Sequence, residues 1–519
     1  MVVADRGDLA TAAPAGGPDP SGARGGSGPI ARWRRASYRA QLLAIAVAGA
    51  ALRLILLGSL PLTRDEAFTA IAVQRPLGQM LSTVAHDSAP PLSYLIQHGL
   101  IQFWDSPTML RLPSAAAGVA AILLAAALGR RVGGDRAGLW AAAAMALLPS
   151  SVLEARDARM YALATALVLA SVLTLWRAVE APSWRRVLLY GLVVVAALYT
   201  NYFVVFAIAA QLGAAAWIFR AQLRSLLRPV LAAGAACVLL TPWLIAARSQ
   251  FQHGSAGFWV QPVGLPSLSG VALQFFSGPP IDPGVPGQLA LEVLQGFVVV
   301  AGLVALASLV ARRRSLSPGG RRAAAFLAGS VGIGLALLVV ISVWHPLVDA
   351  RYVSVMWGPF VVLLGIGLAL VPRRTWQAAA VLVLAVGSAV LAVVPTKPDT
   401  PSLVAHLDGR VGPHDLVWTA PGEYLLIVHY GAAPVVSRTH VISKNLPWYW
   451  GTAAFLPGAV VPDVPADVLR HGGRIFYVDE PQLSGPTPPR GYHAAGPRQC
   501  FDTICLRVYA ERGSGPPPR

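Results

Sequence analysis

PLSYLIQHGLIQFW, residues 91–104, sets the topology of everything after it. The stretch is apolar enough to invite reading as a membrane crossing, yet it has only 14 residues. An α-helix needs about 20 apolar residues to cross the hydrocarbon core of a bilayer. Counted as a span, it would invert every later loop and put Arg130 and Arg131 outside. It reads instead as a helix lying in the outer interface, with Tyr94 and Trp104 at headgroup depth.

Eleven other runs are long enough to cross, or nearly so: 40–60, 109–129, 136–152, 160–178, 187–200, 202–219, 229–247, 288–310, 323–343, 352–371 and 375–394. Arg32, Arg34, Arg35 and Arg39 precede the first and place the N-terminus inside. Alternation then collects the basic clusters on the same side. The inner loops hold Arg130, Arg131 and Arg136; Arg177, Arg185 and Arg186; Arg220, Arg224 and Arg228; Arg312, Arg313, Arg314, Arg321 and Arg322; and Arg373 and Arg374. Those are 16 arginines, against 7 in the outer loops. One alternation satisfies every cluster.

Composition agrees. Only 13% of residues are charged and the mean hydropathy is +0.58, whereas soluble proteins carry about 25% charge. The net charge of +17 lies mostly in short loops, so anionic lipid headgroups, and not nucleic acid, are its expected partner. The expected fold class is an all-α polytopic membrane protein of about 11 transmembrane helices over residues 40–394. Its outer loop, 61–108, carries interfacial helices. Residues 1–39 read as a disordered cytoplasmic tail with no removable signal peptide.

Beyond residue 394 the chain turns polar, with strand-like runs at 415–419, 425–430 and 474–478. A small extracytoplasmic α/β domain is expected over 395–519. Cys500 and Cys505 flank a short turn there, either bridged or as two free thiols. Cys237, inside an apolar run, reads as a small packed side chain.

The acids are placed unevenly. Of 11 between residues 40 and 395, 8 fall outside: Asp65, Glu66, Asp87, Asp105, Glu154, Asp157, Asp282 and Asp349. Ionisable groups at the membrane are costly and are kept where they have work to do. Four groups stand out. In TRDEAF, Thr63–Phe68, adjacent carboxylates on a helix point about 100° apart. One is therefore expected to do chemistry and the other to serve a helix N-terminus or a partner such as Arg64. The plain alternative is a Thr63 cap with acids in the first turn. In HDSAPPLSY, residues 86–94, two prolines hold Asp87 in place above the membrane, or mark an ordinary turn. In EARDARMY, residues 154–161, Asp157 and Tyr161 share a face while Arg156 and Arg159 offer guanidinium groups to an anion; a surface ion-pair network is the rival reading. HPLVDARY, residues 345–352, brings His345, Asp349, Arg351 and Tyr352 to the head of a late span.

An acidic pair after the first span, a D-x-x-Pro-Pro-L-x-Y loop, an E/D-A-R-M-Y turn and a late R-Y together resemble membrane glycosyltransferases of the GT-C fold. The branch is that of protein O-mannosyltransferases and lipid A aminoarabinose transferases. The resemblance covers most of residues 40–395 and implies transfer of a sugar, mannose or similar, from a polyprenyl-phosphate carrier. The acceptor would be a lipid, glycan or protein hydroxyl outside the plasma membrane, and the configuration would invert. It implies Asp65 as general base and Glu66 as second member of the pair, while Asp87 or Ser88 falls where the family places a further pocket acid. Asp157, Arg159, Tyr161, Arg351 and Tyr352 would meet donor phosphate or substrate by the same resemblance, and Arg64, His86 and His345 beside these motifs are further candidates for that contact. In members that use a divalent metal, Mg or Mn, Asp65 and Asp87 are the matching positions. One departure is Ala89, where relatives often carry His or Lys before the proline pair; His86 is the nearest substitute.

Chemistry points the same way. A polyprenyl phosphate is already a good leaving group, so the enzyme must supply a base for the acceptor and positive charge for the departing phosphate. A lipid-linked-sugar flippase or transporter would instead favour ionisable groups near mid-span and a repeat. Within the spans only Arg53 and Glu292 qualify, and no repeat is visible.

Overall fold

The computed structural model describes residues 36–252, 260, 262–278, 287–393, 397–479 and 486–511. Most of the expected N-terminal tail, with Arg32, Arg34 and Arg35, and the outer acid Asp282 lie outside these residues.

Each of the eleven apolar runs falls on a helix. Six helical stretches are long and apolar enough to cross a membrane: Pro107–Leu147, Tyr161–Glu180, Arg220–Ala246, Gln288–Ser315, Pro318–Ile341 and Ala350–Leu370. A multi-pass membrane protein follows from these alone. The count of eleven crossings leans on shorter helices, such as Trp184–Leu198 and Val204–Ile218 with 15 residues each. Pro107–Leu147 holds two runs, not one. Its backbone leaves the helix at Gly133 and Gly134, the latter at φ 70° and ψ −163°. The chain then folds back, so that Gly129 lies against Ala141 and Gly138 against Ala126.

The helix Trp357–Leu370 is the axis of the bundle. It is apolar on every face and almost wholly buried, as a helix surrounded by other helices must be. Gly365 makes the packing close: a Cβ there would stand 2.4 Å from the Ala141 Cα, so two backbones touch where no side chain fits. Outer helices such as Gln288–Arg312 turn Leu289, Val293, Phe297 and Val300 outward, the faces a hydrocarbon phase would cover. Cys237 is also on such an outward face, not packed inside as expected.

The short stretch 91–104 forms the helix Leu92–Ile101. It buries Ser93, Tyr94 and Gln97 and exposes Leu95 and Ile96, with Phe103 and Trp104 exposed just beyond it. This pattern suits a helix lying in an interface with its polar face on the protein. Tyr94 departs from the expectation of headgroup depth: it is 1% exposed and points into the protein.

Past Thr400 a mixed sheet forms, with strand order β3-β2-β1-β4-β7-β5 and β6 paired to β7. The strands are β1 Leu416–Thr419, β2 Thr439–Ile442, β3 Val460–Val461, β4 Ile475–Asp479, β5 Tyr492–Ala494, β6 Gln499–Phe501 and β7 Ile504–Glu511. Strands β1 and β4 sit where 415–419 and 474–478 were expected. The run 425–430 is not a strand; it belongs to the helix Pro421–Tyr430. Strands β1 and β2 are parallel, and a parallel pair needs a crossover, which a hairpin cannot provide. Pro421 at the first turn and Glu423 beside it start that crossover helix. Cys500 and Cys505 face each other across β6 and β7 and are bridged.

Candidate active site

The acidic pair divides its labour through local helix geometry. Thr63 caps the helix Arg64–Val73, its hydroxyl accepting from Glu66 N, while the Glu66 carboxylate accepts from Thr63 N in a reciprocal capping box. Glu66 is thereby turned inward and fully buried. It accepts a bidentate pair of bonds from Arg111, at 2.6 and 2.9 Å, one from Lys397 Nζ at 2.7 Å and one from Ala158 N at 2.9 Å. Burial opposes its charge, but Lys397 and Arg111 together hold its carboxyl far below the usual range. Asp157 contacts the same carboxyl and lies 3.5 Å from Lys397. Burial and the neighbouring Glu66 charge push Asp157 up.

Asp65 faces the other way. Its side chain keeps 38% exposure and pairs with Arg351 at 3.2 Å. Burial raises its carboxyl, yet Arg351, Arg159 and Arg64 outweigh that and hold it below the ordinary value. Asp65 is thus ionised, open and surrounded by guanidinium groups. Asp87 lies close enough to interact with it, is buried, and accepts from Ser88 Oγ. Burial and the Asp65 charge push Asp87 upward against Arg159.

Arg159 is buried and donates to Tyr94 OH at 3.1 Å and Thr69 Oγ1 at 3.4 Å, while its Nε has no partner among the described residues. Burial works against its charge, but Tyr94, Asp65, Tyr161 and Asp87 keep it firmly protonated. Tyr161 is buried within the field of Arg351 and Arg159. Asp349 caps the turn Ala350–Val353 by accepting from Arg351 N at 2.9 Å, and Tyr352 stacks on Phe203 with centroids 4.1 Å apart. Asp65, Asp87, Arg159, Tyr161 and Arg351 therefore form one cluster. Arg64 leaves it to pair with Glu423. His86 is exposed and hydrogen-bonded to Ser82 O of its own helix; His345 is exposed as well.

Two residues of this constellation escaped sequence reading. Arg111 is 1% exposed and, besides gripping Glu66, donates to the carbonyls of Leu57, Leu60 and Pro61. In the sequence it was one more arginine at a span end. Lys397 had a faint signal, being one of two lysines in a chain otherwise supplied with arginine.

A divalent metal has little to bind here. Among the described residues no three His, Cys, Asp or Glu side chains converge. Asp65 is already neutralised by Arg351, and two more guanidinium groups share its field. The donor set does not fit a metal.

Residues 87–245 match the family model described as dolichyl-phosphate-mannose-protein mannosyltransferase, a segment that includes Asp87, Asp157, Arg159 and Tyr161. The crystal structure of ArnT from Cupriavidus metallidurans bound to undecaprenyl phosphate is similar, with a TM-score of 0.57 and 14% identity over 93% of this chain and 99% of that one. Its apo form gives a TM-score of 0.58 and 13% identity over 91% and 97%. No curated protein matches the chain in sequence. At this identity the likeness is one of fold. The fold is that of the GT-C glycosyltransferases, and the resemblance read from the motifs is borne out.

Proposed function

We propose that this chain is an integral membrane glycosyltransferase that moves a sugar, mannose or similar, from a polyprenyl-phosphate carrier to a hydroxyl of a lipid, glycan or protein acceptor. The reaction would take place on the outer face of the plasma membrane. The observation that carries this reading is the open, ionised Asp65 held 3.2 Å from Arg351, with Arg159 behind it. The ArnT structure of the same fold binds undecaprenyl phosphate, which supports a donor of that kind.

In the proposed reaction the acceptor oxygen attacks the anomeric carbon as the bond from that carbon to the phosphate oxygen breaks. Asp65 takes the acceptor proton, and polyprenyl phosphate leaves with the electron pair. Attack from the face opposite the phosphate inverts the configuration. Arg351 and Arg159 stabilise the charge that grows on the departing phosphate. Tyr161, Asp157 and Asp87 shape the pocket. Glu66 anchors the helix that carries the base and touches no substrate. His86 and His345, both exposed, are left to contact the outer part of donor or acceptor.

The test is transfer in proteoliposomes from a synthetic polyprenyl-phosphate sugar. Loss of a general base costs roughly 10²–10⁴ in rate, so Asp65→Asn should fall by that order while still inserting and running as a single species. Transfer at the wild-type rate by that variant ends the proposal.

A further inference from the structure

The helix start that carries Asp65 is held from outside the helix bundle. Leu62 N donates to Tyr430 OH at 2.8 Å. Arg64 pairs with Glu423, which is 2% exposed. Arg75 donates to the carbonyls of Ala453 and Ala454 at 3.1 and 2.9 Å. Lys397, just past the last apolar helix, reaches Glu66 and Asp157. The packing is equally close: a Cβ on Gly422 would stand 2.8 Å from Arg64 Cδ, and one on Gly451 3.0 Å from the Phe68 ring. Residues 62, 64 and 66, which bracket the base, are thus each fastened to a partner at or beyond position 397.

We propose that the segment from Lys397 onward is a working part of the active site, with Lys397 and Glu423 as positioning residues that set the orientation of Asp65. This rests on the reading of Asp65 as general base. Charge counting explains why Lys397 matters most. Glu66 and Asp157 put two carboxyls in contact, and Arg111 bonds only to Glu66 among them. Two adjacent carboxyls repel when both are ionised, so one is driven to hold a proton unless a second cation serves both. Lys397 is that cation, with one compact ammonium at 2.7 Å from one acid and 3.5 Å from the other. Without it, Asp157 must take up a proton or swing away, Glu66 keeps only Arg111 as a cation, and the turn of helix between Thr63 and Glu66 is freed to shift and carry Asp65 with it.

The experiment uses the full chain in proteoliposomes with a polyprenyl-phosphate sugar as probe. Small misplacements of catalytic groups cost up to about 10²-fold. Lys397→Met is therefore expected to lower kcat by about 10- to 100-fold with the KM for donor changed by less than about twofold. Lys397→Arg should recover most of the loss. In an Asp157→Asn background, where the second charge is gone, the penalty of Lys397→Met should shrink, which a double-mutant cycle reads directly. An unchanged kcat in Lys397→Met, or the same penalty with and without Asp157→Asn, overturns the proposal. Should Lys397→Met fail to insert, Glu423→Gln tests the same grip from the other side; an unchanged kcat there also overturns it. Asp65→Asn is assayed in parallel. If that variant is dead while Lys397→Met is unimpaired, only this inference falls; if it is fully active, the transferase reading falls first.

Discussion

Asp65 and Glu66 are neighbours with opposite tasks, and their titrations should show it. Asp65 stays ionised because three guanidinium groups outweigh its burial, Arg351 most of all. Its base form is therefore present from neutral pH down to below the ordinary aspartate value near 3.9. Removing Arg351 raises that carboxyl, so in Arg351→Met the acid limb of the kcat/KM profile should move to higher pH, an outcome read from rates between pH 4 and 8. Glu66 is depressed in the folded state. The stability it contributes is complete above its unfolded value near 4.3 and is lost as pH falls toward the folded value. Breaking a buried pair costs about 3–5 kcal/mol, so Glu66→Ala should lower thermal stability in detergent by that order. Glu154 runs the other way, pushed up to about 8 by burial and by Asp157. Folding takes up a proton there, so stability declines as pH climbs from about 4.3 through about 8. Glu154→Gln should melt higher than wild type at pH 9, and the difference should vanish near pH 4.

At the scale of elements, two features turned on backbone geometry. The return at Gly133 and Gly134 makes a hairpin out of two apolar runs joined through the charged segment that holds Arg130, Arg131 and Asp135. Gly134 sits at φ 70° and ψ −163° with open space around its Cα, a conformation nearly closed to residues with a Cβ. Gly134→Ala should cost about 1–3 kcal/mol through backbone strain alone, visible as a lower melting temperature without loss of any side-chain contact. The helix Pro421–Tyr430 is the second. Its mostly apolar run at 425–430, broken only by His429, suits strand and helix equally, and only the parallel pairing of β1 with β2 decides between them.

At the scale of the whole molecule, the proposed outward-facing site requires the C-terminal segment, which supplies Lys397 and Glu423 to it, to lie outside as well. An alkaline phosphatase fused after residue 519 should therefore be active, and a fluorescent protein fused there should be dark; the reverse result would move Asp65 to the cytosol and remove the lipid-linked donor from reach. The bundle itself closes around Trp357–Leu370. Arg53, one of two ionisable groups read within spans, is fully buried and donates to the carbonyls of Gly49, Met145, Ala146 and Ser151. It ties the first span to the end of the hairpin, a structural task.

Helix positions, including the short helix within residues 91–104, and the motif groups around Asp65, Asp87, Asp157 and Arg351 were legible in the sequence, because hydropathy, helical period and local capping act over a few neighbouring residues. The pairing of Asp65 with Arg351, the burial of Glu66 by Arg111 and Lys397, and the inward turn of Tyr94 were not. Each depends on side chains separated by tens to hundreds of positions, and their Coulomb and hydrogen-bond energies exist only once folding removes the water between them.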